Sequence, residues 1–161
     1  DKGFSLEFAT SVLMLLMICG AFGRILGGML GDYIGALPGY ILMSFGQTIF
    51  VVWFPHLISP ASIYVLAALF GFTYSGVMSS ILVCTRIMVS AKFGARAMSL
   101  TSLFGWIGMG LGGFLGGYFF DIYGDYSWAF AFAGITGIVN LFILALFFMN
   151  IRQRENLLLS S

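Results

Sequence analysis

The chain has 161 residues, of which 60% are hydrophobic and only 8% are charged, and its mean hydropathy is +1.04. Soluble domains carry about 25% charged residues, so this composition excludes a water-soluble globular domain and indicates an integral membrane protein. The net charge of +1 gives no basic surface for nucleic acid. Membrane lipid is therefore the first predicted partner.

Five apolar segments are long enough to cross a bilayer as helices. A hydrocarbon core about 30 Å thick needs roughly 20 apolar residues in helical form. The predicted spans are 8–30, 39–54, 61–89, 97–120 and 127–151, separated by breaks rich in glycine, proline and charge. Residues 1–151 are thus predicted to form an all-α transmembrane bundle, and residues 152–161 a cytoplasmic tail.

The basic residues at the span ends predict the orientation of the bundle. Those that fall on one side are Arg86, Lys92, Arg96, Arg152 and Arg154. Only Lys2 falls on the other side. Cytoplasmic ends of membrane proteins carry an excess of Lys and Arg, so the N-terminus is predicted outside and the C-terminus inside. The expected location is a plasma membrane or a bacterial inner membrane.

Glycine makes up 22 of the 161 residues and recurs at helical spacing. In the fourth span, Gly108, Gly112 and Gly116 line one helix face, and the first span has glycines at the same spacing. Small residues at this spacing let two helix backbones approach closely in lipid. Two interpretations stay open: plain helix packing, and a face along which helices slide or bend during a conformational cycle.

The turn after the first span carries the strongest local motif. Gly28, Asp32 and Gly35 form the pattern G-x-x-x-D-x-x-G. This pattern resembles the cytoplasmic loop G-x-x-x-D-[RK]-x-G that the major facilitator superfamily has between paired helices. Tyr33 stands where the family has a basic residue, so the electrostatic part of the motif is incomplete.

The resemblance continues toward the C-terminus. Phe93 and Gly94, followed by Arg96, are similar to the family's loop before the eleventh helix, and residues 112–130 are similar to the junction of its last two helices. The chain resembles helices eight to twelve of a twelve-helix transporter, in particular monocarboxylate-porter-like and oxalate/formate-antiporter-like members. This implies a partial major-facilitator half, whose missing partner is helix seven with the N-terminal half of the same transporter.

The resemblance implies secondary active transport of a small solute by alternating access, in which two six-helix halves rock about a site near the bilayer midplane. An organic anion carried with a coupled proton is one such solute. The alternative is a non-transporting membrane subunit with an assembly or anchoring role. The sequence has no nucleophile–base pair, metal-ligand spacing or phosphate loop, so no enzyme, cofactor or metal site is predicted.

Arg24 is the main candidate for contact with the solute, because an arginine within an apolar span costs about 2.5–3.5 kcal/mol on insertion scales. The resemblance implies that it contacts a substrate carboxylate. The alternative is that Arg24 reaches to the interface or pairs with a carboxylate of its own bundle. Oxalate-type members of the family have a second basic residue in the eleventh helix, and the fourth span, which resembles that helix, has none. The resemblance therefore implies a monocarboxylate or a neutral solute instead of a dicarboxylate.

Other polar residues of the spans have weaker assignments. Gln47 and Asn140 either hydrogen-bond across helices or line the solute pathway, and Trp106 is expected to face a cavity.

Asp32 is predicted to act in a cytoplasmic gate. Arg86 and Arg96 fall on the same predicted side of the membrane, and an Asp–Arg pair there would latch the gate. The alternatives for Asp32 are an N-cap of the next helix and a solvated turn residue.

Overall fold

The computed structural model describes residues 4–159, with side chains up to Gln153. Within that range the chain forms five long helices and no strand. The helices are α1 Leu6–Ile34, α2 Ala36–Trp53, α3 Pro60–Met88, α4 Gly94–Tyr123 and α5 Ser127–Leu159. Each contains a stretch long and apolar enough to cross a membrane. The predicted all-α transmembrane bundle is confirmed, and the chain is a multi-pass integral membrane protein.

The helix ends follow from local chain chemistry. Ser5 caps α1 by accepting a hydrogen bond of 3.2 Å from an amide of the first turn. Pro60 lies in the first turn of α3, where its missing N–H leaves no intrahelical bond unmade. Gly124 follows α4 in the left-handed conformation, with φ +74°. Short 3-10 turns at Phe54–His56 and Ala91–Phe93 join α2 to α3 and α3 to α4.

The break between the first two spans is shorter than the sequence indicates. Helix α1 continues through Asp32, and Gly35 is the only non-helical residue before α2 begins at Ala36. The φ of Gly35 is +96°, which favours glycine at this position. Pro38 lies in the first turn of α2, where proline is tolerated. The N-cap of α2 is Gly35 and makes no side-chain bond, so the alternative of Asp32 as the N-cap is wrong.

Helices α1 and α3 pack with their backbones almost in contact. A Cβ added to Gly23 would collide with the carbonyl of Phe72, and one added to Gly27 would lie 2.8 Å from the Cα of Gly76. The hydroxyl of Ser80, which is 1% exposed, donates a 3.4 Å hydrogen bond to the Gly27 carbonyl. This is the close approach that the glycine spacing of the first span predicts.

Helix α2 lies between α3 and α5 and contributes most of the buried core. The buried hydrophobic residues of this core are Ala36, Leu37, Tyr40, Met43, Val77, Cys84 and Leu144. Gly137 of α5 sits against Thr48 of α2, where an added Cβ would lie 2.5 Å from the threonine hydroxyl. Helix α2 therefore packs against both α3 and α5, and α1 packs against α3 and, near its C-terminal end, against α2.

Helix α4 differs from the others because none of its residues is buried. Near its start, the hydroxyls of Thr101 and Thr85 lie 3.3 Å apart. Near its end, Phe119 packs against Phe132 of α5, with ring centroids 6.0 Å apart. Helix α4 is thus attached at its two ends, and its glycine-rich middle stands away from the bundle.

The last helix continues into the predicted cytoplasmic tail. Helix α5 runs past residue 151 to Leu159, so the described part of the predicted tail, 152–159, is helical. Residues 160–161 of that tail and Lys2 lie outside the described residues, as does the side chain of Arg154.

Gly23→Ala is expected to lower the free energy of unfolding by about 1–3 kcal/mol, because overpacking forces the helices apart and only backbone faces the added methyl. Gly28→Ala is the matched control on the same helix, since no atom lies within 4 Å of its Cβ position. Unfolding in detergent, followed by circular dichroism, measures both changes. Equal effects of the two substitutions would contradict the close contact.

Candidate functional site

A cavity of about 530 Å³ opens between α2, α4 and α5, with α3 behind it. Its wall is mostly apolar and includes leucine, valine and phenylalanine side chains. The polar side chains that line it are Tyr40, Ser44, Gln47, Thr48, Thr136 and Asn140. None of the lining residues carries a charge. The cavity therefore offers hydroxyl and amide groups, which suit neutral hydrogen-bonding groups better than ions.

The polar groups of the cavity are tied to helix backbones and to each other. The Asn140 side-chain amide of α5 donates a 3.4 Å hydrogen bond to the Ser44 hydroxyl of α2. The Thr48 hydroxyl donates to the Ser44 carbonyl at 2.8 Å. Thr136 donates to the carbonyl of Phe132 at 2.9 Å. The Thr48 and Thr136 bonds stay within their own helices, and the Asn140–Ser44 bond links α2 to α5.

The structure divides the four predicted substrate residues into two groups. Gln47 and Asn140 line the cavity together, from α2 and α5. Trp106 does not line it, and its side chain is 71% exposed on the surface of α4. Arg24 also lies outside the cavity, exposed on α1.

Arg24 has no partner within the described part of the chain. It makes no hydrogen bond or ion pair there, although the glycines on either side of it, Gly23 and Gly27, are buried against α3. The alternative in which Arg24 pairs with a carboxylate of its own bundle does not occur among residues 4–153. The guanidinium stays free for a partner outside this bundle.

The residues of the predicted gate lie at one end of the bundle. Asp32 is exposed in the last turn of α1, Arg86 in the last turn of α3 and Arg96 in the first turn of α4. Among the described side chains no ion pair joins Asp32 to either arginine. Gly28 lies one turn before Asp32 with open space around it, and Gly35 forms the junction to α2. The Asp32 latch stays a prediction.

The α4 glycines line the cavity instead of a helix contact. No described atom outside α4 lies within 4 Å of the Cβ positions of Gly108, Gly112 and Gly116. The predicted packing along this face therefore has no partner in the described chain and stays a prediction.

The sequence interpretation missed four polar residues of the cavity, although their spacing signals them. Tyr40, Ser44 and Thr48 recur every four residues on α2, and Thr136 precedes Asn140 by the same interval. A polar stripe at helical spacing within an apolar span marks a face that avoids lipid. The described residues contain no cluster of His, Cys, Asp and Glu suited to a metal ion.

Comparison with known proteins identifies the family. Residues 1–159 match the profile of the Major Facilitator Superfamily, which is nearly the whole chain. The chain belongs to this superfamily. The Major Facilitator Superfamily assignment agrees with the five membrane-spanning helices and with the G-x-x-x-D-x-x-G pattern that ends α1.

The chain is similar to the riboflavin transporter MCH5 of Saccharomyces cerevisiae. The two are 32% identical over 99 residues, which are 60% of this chain and 19% of the transporter. The matched segment thus spans about a fifth of the relative's length. No solved structure gives a significant match to the chain.

The Asn140–Ser44 hydrogen bond is expected to contribute about 0.6 kcal/mol to the free energy of unfolding, which is the mean for such bonds between helices in a bilayer. A double-mutant cycle of Asn140→Ala and Ser44→Ala, read out by unfolding in detergent, measures this coupling. The control cycle pairs Asn150→Ala with Ser44→Ala, because Asn150 bonds only the Leu146 carbonyl of its own helix. Equal coupling energies in both cycles would contradict an α2–α5 bond.

Proposed function

We propose that the chain supplies helices eight to twelve of a secondary active transporter, which moves a small solute across a membrane by alternating access. The match of residues 1–159 to the Major Facilitator Superfamily supports this proposal, as does a relative named as a transporter. Both observations favour a transporter over a non-transporting anchoring subunit. The other half of the same transporter is the partner that this function requires.

The proposal for the substrate rests on Arg24. A guanidinium within an apolar span is unfavourable unless it gains a partner, and no described side chain provides one. A planar guanidinium binds both oxygens of a carboxylate through paired hydrogen bonds. Helix α4 has no basic residue beyond Arg96, so a second carboxylate would find no cation on that helix. The substrate class that fits is therefore a monocarboxylate, as in monocarboxylate-porter-like members.

A neutral solute of the flavin type is the second candidate. The similarity to a riboflavin transporter favours it, and so does the absence of charge among the cavity-lining residues. In that case Gln47 and Asn140, which line the cavity, supply amide groups to the solute. The Arg24 guanidinium then extends to the lipid headgroups, while its methylene stem stays in apolar surroundings.

The gate residues complete the proposed cycle. Asp32 lies in the last turn of α1, at the same end of the bundle as Arg86 and Arg96, and this is the predicted cytoplasmic end. In the proposed cycle, a latch between Asp32 and one of these arginines forms in one state and opens in the other. The described spans carry no carboxylate near their midpoints, so a coupled proton would titrate in the other half of the transporter.

Uptake into proteoliposomes by the full-length transporter tests the substrate. Arg24→Ala is expected to reduce uptake of radiolabelled lactate by about tenfold or more, which corresponds to the loss of at least 1.4 kcal/mol of binding free energy. Arg24→Lys should recover part of it, because lysine keeps the charge and loses the paired hydrogen bonds. Arg152→Ala is the matched control, since Arg152 lies exposed at the end of the fifth span.

The two candidate substrates give different outcomes in this experiment. Riboflavin uptake that Arg24→Ala leaves unchanged, together with no lactate uptake, would replace the first candidate with the second. Loss of lactate uptake in the Arg152→Ala control to the same extent would remove Arg24 from the site. Uptake of neither solute would overturn both substrate assignments.

A further inference from the structure

A second concave surface lies on the face of α2 that is opposite the polar cavity. It is a groove of about 580 Å³ between α1 and α2, with residues of α3 at its base. On α2 the groove is lined by Leu42 and Gly46, and the cavity by Ser44 and Thr48. Positions two residues apart point in nearly opposite directions around a helix of 3.6 residues per turn. The groove is therefore separate from the cavity, and no residue lines both.

The groove is open along its rims and closed at its floor. Met43 of α2 and Thr73 of α3 form the floor and are buried. Leu26 and Met29 of α1 form one rim and Leu42 of α2 the other, and each of these three side chains is about half exposed. A ligand can therefore enter from the side of the described bundle without passing through the polar cavity.

The groove has almost no polar side chain. Of its lining residues, only Tyr33 and Thr73 carry a hydroxyl or another hydrogen-bonding nitrogen or oxygen. The Thr73 hydroxyl donates hydrogen bonds of 3.0 Å and 3.1 Å to the carbonyls of Leu69 and Phe70 in its own helix. Tyr33 is 89% exposed and lies in the last turn of α1, at one end of the groove. The interior of the groove thus suits hydrocarbon, and a hydroxyl is available only at that end.

The groove is long and narrow. Its lining residue farthest along α2 is Phe50, which lies about 22 Å along the helix axis from the Gly35 junction at a rise of 1.5 Å per residue. The hydrocarbon core of a bilayer is about 30 Å thick, so the groove extends from the membrane surface at Gly35 through one leaflet. Its volume spread over that length gives a cross-section of roughly 25 Å². This is the width of one hydrocarbon chain and is too narrow for a fused ring system.

A further helix does not fit this groove. Helices approach closely in lipid where both faces carry small residues, whereas the rims here are leucine, methionine and phenylalanine side chains. The one glycine, Gly46, is already covered, because an added Cβ would lie 2.8 Å from the Thr73 methyl group. A helix would rest on the rims and leave a void below it, and the lining of a void loses its dispersion contacts. A flexible hydrocarbon chain can fill the same space.

We propose that this groove binds one acyl chain of a membrane phospholipid, from the leaflet in which Gly35 lies. The chain runs from Tyr33 toward Phe50, over Met43 and Thr73. Tyr33 then lies at the level of the lipid headgroups, where tyrosine side chains are enriched. The site goes beyond solute transport, because it requires only the bilayer and shares no residue with the polar cavity.

Native mass spectrometry of the full 161-residue chain tests this site. The chain is released from detergent micelles that contain dioleoylphosphatidylcholine as the probe, and the fraction that retains one lipid is measured. We expect one phospholipid to be retained. The double substitution Met29→Trp and Leu42→Trp should weaken retention about tenfold or more, because bulky side chains from both rims then occupy the space of the acyl chain.

The double substitution Ile25→Trp and Ile49→Trp is the matched control. Both residues are exposed on the same two helices, and neither lines the groove or the cavity. This control should change lipid retention by less than about twofold, since the groove stays open. Circular dichroism of both double variants should match that of the unmodified chain, because all four substituted positions are exposed.

Competition between lipids tests the width of the site. Lysophosphatidylcholine has one acyl chain and should displace dioleoylphosphatidylcholine, because the groove holds a single chain. Cholesterol should not displace it, since its fused rings are wider than the groove.

Fluorescence quenching gives a second measurement that leaves the groove open. The three native tryptophans are replaced by phenylalanine, and Phe45→Trp on the groove is the reporter. Phosphatidylcholine brominated on its acyl chains should quench this reporter at about tenfold lower lipid concentration than a Phe142→Trp reporter, because only the first contacts a bound chain. Phe142 is exposed on α5 and lines neither the groove nor the cavity.

Four results would overturn the acyl-chain site. They are the absence of a retained phospholipid, equal retention by the two double variants, displacement by cholesterol but not by lysophosphatidylcholine, and equal quenching of the two reporters. None of these measurements depends on transport, so failure of the lipid site leaves the proposed function unaffected.

Discussion

The contact between α1 and α3 is made by backbone atoms, and the rest of the bundle depends on it. Lipid is as apolar as leucine, so the hydrophobic effect gives these helices little reason to associate. Close packing and interhelical hydrogen bonds must supply the attraction. Glycines on both helices bring the chains near enough for the Ser80 hydroxyl to reach the Gly27 carbonyl. Once α1 and α3 are fixed, α2 packs on α3, and α5 packs on α2 through Gly137 and Thr48.

The charges are distributed differently from the other polar groups. Hydroxyl and amide groups gather in the cavity, where Ser44, Thr48, Thr136 and Asn140 bond a neighbouring backbone or side chain. Arg24, the charged residue nearest the middle of a span, is exposed and does not line that cavity. Neutral groups can be satisfied within one bundle, whereas a guanidinium needs an anion. The neutral polar groups thus find partners within the chain, whereas Arg24 has none among the described residues.

The sequence predicts the helices well because bilayer thickness and apolar length determine them. All five spans were placed, and the glycine spacing of α1 correctly indicated close packing. The exact junctions were less predictable, because the polar cluster at Asp32–Pro38 looks like a loop, whereas a single glycine suffices to end one helix and begin the next. Side-chain direction was the least predictable feature. Trp106 was expected to face a cavity, but it is exposed on the surface of α4. The direction of a side chain depends on which helices pack against its own helix, and hydropathy does not contain that information.

The single-residue junction at Gly35 has a mechanical consequence. Successive Cα atoms are about 3.8 Å apart across a trans peptide, so the facing ends of α1 and α2 cannot separate by more than a few ångströms. A longer loop would allow either helix to move independently of the other, whereas a junction of one residue does not. A displacement of the C-terminal end of α1 therefore also displaces the N-terminal end of α2. The two helices of this hairpin are thus mechanically coupled at Gly35.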